Sequence, residues 1–134
     1  MSLTKPTSIF LAFLVTAVLL VGCGKSDNDT TDPETAELGQ IYEVYTSYEK
    51  VNQKPPSKLS DILKKETEIA FPDAVRTLKE GKYVVVFGVE DKDSSTVLAY
   101  EKNAPKEGGS VLMADGKVKK MSADEFNAAY KLGK

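Results

Sequence analysis

Apolar and polar positions alternate along this chain with periods that change several times. Ile9–Val21 (IFLAFLVTAVLLV) is a run of 13 residues broken only by Thr16. Gly24–Asp32 (GKSDNDTTD) then holds no apolar side chain. From there Leu38, Ile41, Tyr42, Tyr45 and Tyr48 recur at steps of three and four, the spacing of one face of a helix. Glu37, Gln40, Glu43 and Lys50 fall opposite them. Pro33 suits a first helical position, and Thr31 with Glu34 has the spacing of a capping box. Pro55-Pro56 must end the helix by Lys54.

The pattern beyond is shorter-ranged. Ser57–Lys65 predicts a short helix with Leu59, Ile62 and Leu63 inward, and Glu66–Ala70 has no decisive period. Pro72–Glu80 predicts another short helix, stopped by Gly81. Tyr83–Val89 (YVVVFGV) is apolar at every position except Gly88 and predicts a central strand. A polar turn, Glu90–Ser95, leads to a second strand, Thr96–Glu101, and Lys102–Gly109 reads as a loop. Ser110–Ala114 and Lys117–Met121 predict strands joined at Asp115-Gly116, a two-residue type I′ hairpin signal. Ser122-Ala-Asp-Glu125 is a capping box that opens a last helix, with Phe126, Ala129 and Tyr130 on one side. The expected fold is α+β: a long N-terminal helix on a four-stranded antiparallel meander, with short extra helices.

The first apolar run changes the picture of the whole chain. At 13 residues it is too short for a hydrocarbon core, which takes roughly 20 helical residues. It fits the apolar region of a signal peptide behind the single basic residue Lys5. Leu20-Val21-Gly22-Cys23 follows and resembles the lipobox of bacterial lipoproteins, a resemblance confined to residues 1–23. It implies cleavage before Cys23 and fatty acylation (palmitate among the chains) of that cysteine. Each buried CH₂ contributes about 0.8 kcal/mol, so two or three acyl chains hold a protein on a membrane. The expected organisation is a signal peptide over 1–22, a lipidated flexible tether over 23–33 and one α+β domain over 34–134. Gly24-Lys25 supplies no Asp directly after the cysteine, which slightly favours the outer over the inner membrane.

Composition then narrows the chemistry. The 112 residues from Cys23 onward carry 17 basic and 20 acidic side chains, and a domain without a basic excess is a poor nucleic-acid partner. The chain has no histidine, which removes the commonest general base and zinc ligand. Its only cysteine is Cys23, so no intrachain disulfide forms. Glu90, Asp91 and Asp93 cluster in one turn, but the spacing matches no EF-hand and Lys92 sits among them. Gly108-Gly109 has no Lys-Ser/Thr after it and is not a phosphate loop. No constellation asks for catalysis, a cofactor or a metal.

One further resemblance covers parts of the domain. Leu38–Lys58 (LGQIYEVYTSYEKVNQKPPSK) resembles the end of a pilin N-terminal helix, where a Tyr-rich stretch runs into a Pro-containing turn. Leu112-Met-Ala-Asp-Gly-Lys-Val118 is similar to the closing hairpin of bacterial prepilin-like proteins. That family places a His, then nine residues, ahead of Asp-Gly; here the nine are Lys106–Ala114 and the His position is Pro105. The family's cleavage site and transmembrane half-helix are also replaced, by the lipobox and tether. The resemblance implies a pilin-like fold and an accessory role among envelope or secretion proteins. The expected function is a membrane-anchored, non-catalytic interaction or assembly module; the alternative is a lipid-anchored binding protein for a small envelope ligand or cation. Asp115 and Gly116 are expected to be a structural turn.

Overall fold

The computed structural model describes residues 32–90 and 92–132. Cys23, the expected signal peptide and nearly all of the expected tether lie outside them. The fold is α+β. Helix α1 spans Pro33–Asn52; α2 (Leu59–Ile62), α3 (Lys65–Ala70) and α4 (Pro72–Lys79) follow. Strands β1 (Tyr83–Val85) and β2 (Val97–Glu101), helix α5 (Ala104–Glu107), strands β3 (Gly109–Met113) and β4 (Val118–Met121) and helix α6 (Ala123–Leu132) complete it. The strands form one antiparallel sheet in chain order.

Local chemistry sets the helix ends. Asp32 caps α1: its Oδ1 accepts the Glu34 N–H at 3.2 Å, with Pro33 in the first turn. The predicted capping box therefore gives way to an aspartate one residue later, and Thr31 lies outside the described residues. The helix ends on Gln53 in the left-handed region, φ 57°, ahead of Pro55. Helix α4 closes with Gly81 at φ 72°, the Lys82 N–H donating to Thr77 O and the Gly81 N–H to Leu78 O. That pair of bonds is a Schellman motif, which needs a residue free to adopt positive φ. Helix α6 opens with the expected capping box: Ser122 N–H donates to the Glu125 carboxylate, and Glu125 N–H to the Ser122 hydroxyl.

The sheet is covered on both faces. Successive residues of a strand point to opposite sides. Leu112 and Ala114 join the core under α1 and α4, with Leu38, Ile41, Tyr45 and Leu78. Val111 and Met113 join the core under α5 and α6, with Ala104 and Phe126. Tyr100, Phe126 and Tyr130 form an aromatic trio there, with centroids 4.6–5.7 Å apart. A bulge in β2 leaves Leu98 without a partner between the pairs Val97↔Met113 and Ala99↔Leu112. It places Leu98 and Ala99 in succession against the α1 side.

Several expectations are corrected. The apolar run Tyr83–Val89 is not a central strand: β1 keeps only Tyr83–Val85 and lies at the sheet edge. Its both-faced apolarity comes from layers above and below the sheet, not from neighbours on both edges. Val86 N–H still donates to Leu98 O at 2.8 Å, after which Gly88, φ 75°, turns the chain. The segment expected as one helix over 57–65 is divided between α2 and α3, and Leu59 is 36% exposed rather than inward. The loop 102–109 contains α5. Glu37 and Gln40 are not on a solvated face of α1; both reach neighbouring elements. The hairpin is not a two-residue type I′ turn, because Asp115 keeps a negative φ. Met113 N–H donates to Lys117 O and Gly116 N–H to Met113 O, with Gly116 at φ 90°, so a three-residue loop closes on a glycine bulge.

Candidate functional site

The tyrosine stripe of α1 divides by environment. Tyr45 is fully buried; its hydroxyl accepts the Val89 N–H at 3.0 Å and lies 3.4 Å from Val89 O. Burial pushes this phenol up. Tyr42 lies against the hairpin: a Cβ on Gly116 would stand 2.9 Å from Tyr42 Cζ. Tyr48 is half-buried and open to solvent on one side, with Lys64 Nζ 5.6 Å above its ring.

The polar residues of α1 hold neighbouring elements in place. Glu37 accepts hydrogen bonds from Lys82 and from the Tyr83 hydroxyl, the latter at 2.7 Å, and Arg76 stands 3.7 Å away. Burial alone would raise the Glu37 carboxyl; the Lys82 and Tyr83 hydrogen bonds and the charges of Lys82 and Arg76 outweigh it and hold it low. The same contact, after burial, raises the Tyr83 phenol. Gln40 Oε1 accepts the Ala74 N–H at 3.3 Å and so caps α4, whose own N-cap residue, Phe71, supplies no side-chain bond. Buried Ser110 donates its hydroxyl to Glu34 at 2.9 Å and its N–H to Glu101 at 2.6 Å. Every one of these groups is occupied in joining elements.

The acidic turn is also internally committed. Asp93 Oδ1 accepts Ser95 N–H at 2.9 Å, Ser95 O–H at 3.0 Å and Thr96 N–H at 2.7 Å. Hydrogen bonds from Thr96 and Ser95 lower its carboxyl. Lys92 turns back to Glu49 at 2.6 Å. Asp91 lies outside the described residues. Among the described residues no group of three or more His, Cys, Asp or Glu is arranged to hold a metal ion. Asp115 Oδ1 accepts the Lys117 N–H at 3.0 Å within its own loop, so Asp115 and Gly116 together form a turn held against Tyr42.

The feature least explained by internal packing is a groove of about 300 Å³ between the last turns of α1 and the α2–α3 segment. Val44, Ile62 and Phe71 lie at its base, Tyr48 and Val51 on one wall and Thr67 on the other. Among the described residues, the large apolar side chains that stand exposed are Val51 (82%), Ile69 (76%) and Leu59 (36%). All three belong to α1's end, α3 and α2. Helix α3 packs on α4 yet buries none of its own residues. Of the three, Val51 lines the groove. An apolar recess with an exposed apolar side chain on its wall is a candidate place of contact. Pattern reading missed this groove because it needs the placement of α3. The local signal was Ile69-Ala70-Phe71, an apolar triplet ahead of Pro72 in the segment without a decisive period. Compared with protein-family models, with curated proteins and with solved structures, the chain matches none.

Proposed function

We propose that this chain is a membrane-anchored bacterial envelope lipoprotein, held by lipid on Cys23, whose pilin-like domain is a non-catalytic interaction or assembly module for envelope or secretion proteins. The observation that carries the module reading is the apolar groove between the end of α1 and the α2–α3 segment, with Val51 standing 82% exposed in its lining. The pilin-like reading draws on the two segments behind the family resemblance, which touch each other where Tyr42 meets Gly116. The lipobox supports the anchor.

A photo-reactive residue placed at position 51 or 69 of the membrane-bound chain should join covalently to a discrete envelope protein, while one at exposed position 124 on α6 should not. No product from 51 or 69 would overturn the module reading. Cys23→Ala should abolish labelling by a fatty-acid analogue; equal labelling would overturn the anchor. With the anchor intact, the chain should sediment with the outer-membrane fraction. A second reading, a small apolar envelope ligand, is favoured by the groove's volume and would appear as a co-purified small molecule lost on Val51→Asp.

A further inference from the structure

The first two turns of α1 are bonded to the sheet at both of its edges. Ser110 of β3 and Lys120 of β4 are cross-strand partners, and the Glu34 carboxylate meets both. It accepts the Ser110 hydroxyl at 2.9 Å, and Lys120 Nζ lies 3.4 Å away. Lys120 also meets Asp32, at 2.9 Å. Glu37 accepts the Tyr83 hydroxyl at 2.7 Å from β1, the opposite edge of the sheet. Residues three apart share a helix face, so the stretch 32–37 reaches from β4 to β1. Behind Ser110 the connection continues to β2, since the Ser110 N–H donates to Glu101 at 2.6 Å. Gly109 permits that approach: a Cβ there would collide with the Glu101 carboxylate. The contacts are unequal. Lys120 is 68% exposed, and ion pairs of that kind contribute little. Ser110 is fully buried, and its bond to a carboxylate contributes more. All of these bonds lie where the chain from Cys23 enters the domain, at Asp32. A pull through that chain meets a helix N-terminus, whose first four N–H groups have no intrahelical carbonyl. Held by backbone bonds alone, a helix loaded at its end would peel turn by turn.

We propose that Asp32, Glu34 and Glu37 form a clasp that passes a pull on the anchored end of the chain into the β-sheet, so that α1 stays seated on the domain under load. The clasp rests on the lipid-anchor reading, which supplies the load. It divides one helix between two tasks: the first turns hold the sheet, and the last turns, with Tyr48 and Val51, line the groove.

The test is force spectroscopy of the full chain in unacylated form. One DNA handle is attached to the thiol of Cys23, the only cysteine, and the other to the C-terminus. A second geometry moves the first handle to exposed position 52 at the far end of α1, by Asn52→Cys with Cys23→Ser, and so bypasses the clasp. Ser110→Ala should raise the unfolding rate at fixed force about tenfold when the pull enters at position 23 and less than about twofold at position 52. Lys120→Ala should raise it about twofold from position 23 alone. Circular dichroism should show both variants folded; if Ser110→Ala were not, Lys120→Ala at its exposed site would decide. Equal acceleration in the two geometries would make these bonds ordinary stabilising contacts and overturns the proposal. So does an unchanged rate from position 23. If Cys23→Ala abolishes labelling by the fatty-acid analogue while the two geometries agree, only the clasp fails. If labelling persists in that variant, the anchor reading fails, and the clasp with it for want of a load.

Discussion

At Gly116 two separate demands fall on one residue. Its φ of 90° favours glycine, and its missing Cβ leaves room for the Tyr42 ring. Gly116→Val should cost about 1–3 kcal/mol from backbone strain alone, with displacement of Tyr42 in addition. Thermal denaturation of Gly116→Val, Tyr42→Ala and the double variant separates the two: the pair should cost less than the sum if the contact matters. Asp115→Asn should be nearly silent, since Asn retains an oxygen for the Lys117 N–H. At Glu37 the prediction concerns pH. Its folded carboxyl is held low, so the stability it contributes is present above the ordinary glutamate value of 4.5 and is lost as pH falls through the folded value. Glu37→Gln should lower stability near neutral pH by about 2 kcal/mol, the scale of hydrogen bonds to a charged group. It should also make the acid limb of stability against pH shallower. An acid limb unchanged by the substitution would show that the Lys82–Glu37–Tyr83 contact contributes nothing to folding.

Among the elements, those with chemistry at their own ends could be read before any packing was known. Pro33, Gly81 and Ser122-x-x-Glu125 mark one end each of α1, α4 and α6, the α1 cap falling one residue after the expected Thr31, because capping involves near neighbours in the chain. The elements that depend on distant contacts could not be read so. β1 shortens because Val89 leaves the ladder for the Tyr45 hydroxyl, 44 residues away in sequence. Gln40 appears solvent-facing in a helical projection, yet it caps α4 from 34 residues away. Gln40→Ala should therefore cost about 1 kcal/mol and speed amide exchange at Ala74, a position in a helix that does not contain the substitution. If exchange quickened equally throughout α1, the bond to α4 would not be its cause.

Across the whole molecule, two apolar layers flank one sheet, and neither asks for an ion. Residues 32–134 should fold as a soluble monomer without metal, with a single cooperative transition that chelators leave unmoved. A product that orders only with added calcium would shift weight to the acidic turn. The core was legible from spacing, since Leu38, Ile41, Tyr45 and Phe126 repeat with helical period and are buried at 0–1%. The groove was not, since exposure is a property of how α3 lies on α4 and leaves no trace in a period.

The two borders of the sheet have their own consequence. β1 contributes three residues and is followed at once by the Gly88 turn, and β4 reads Val-Lys-Lys-Met. A short strand and lysines on an edge both discourage pairing with another copy's strand. Under the proposed lipid anchor, copies of this chain would be confined to two dimensions, where local density far exceeds that of a dilute solution and fibril nucleation steepens accordingly. Strand edges of this kind let a crowded layer of domains remain separate. Lys119→Val should shorten the thioflavin lag time of the domain while leaving its melting temperature nearly unchanged, a cost felt only in a crowd.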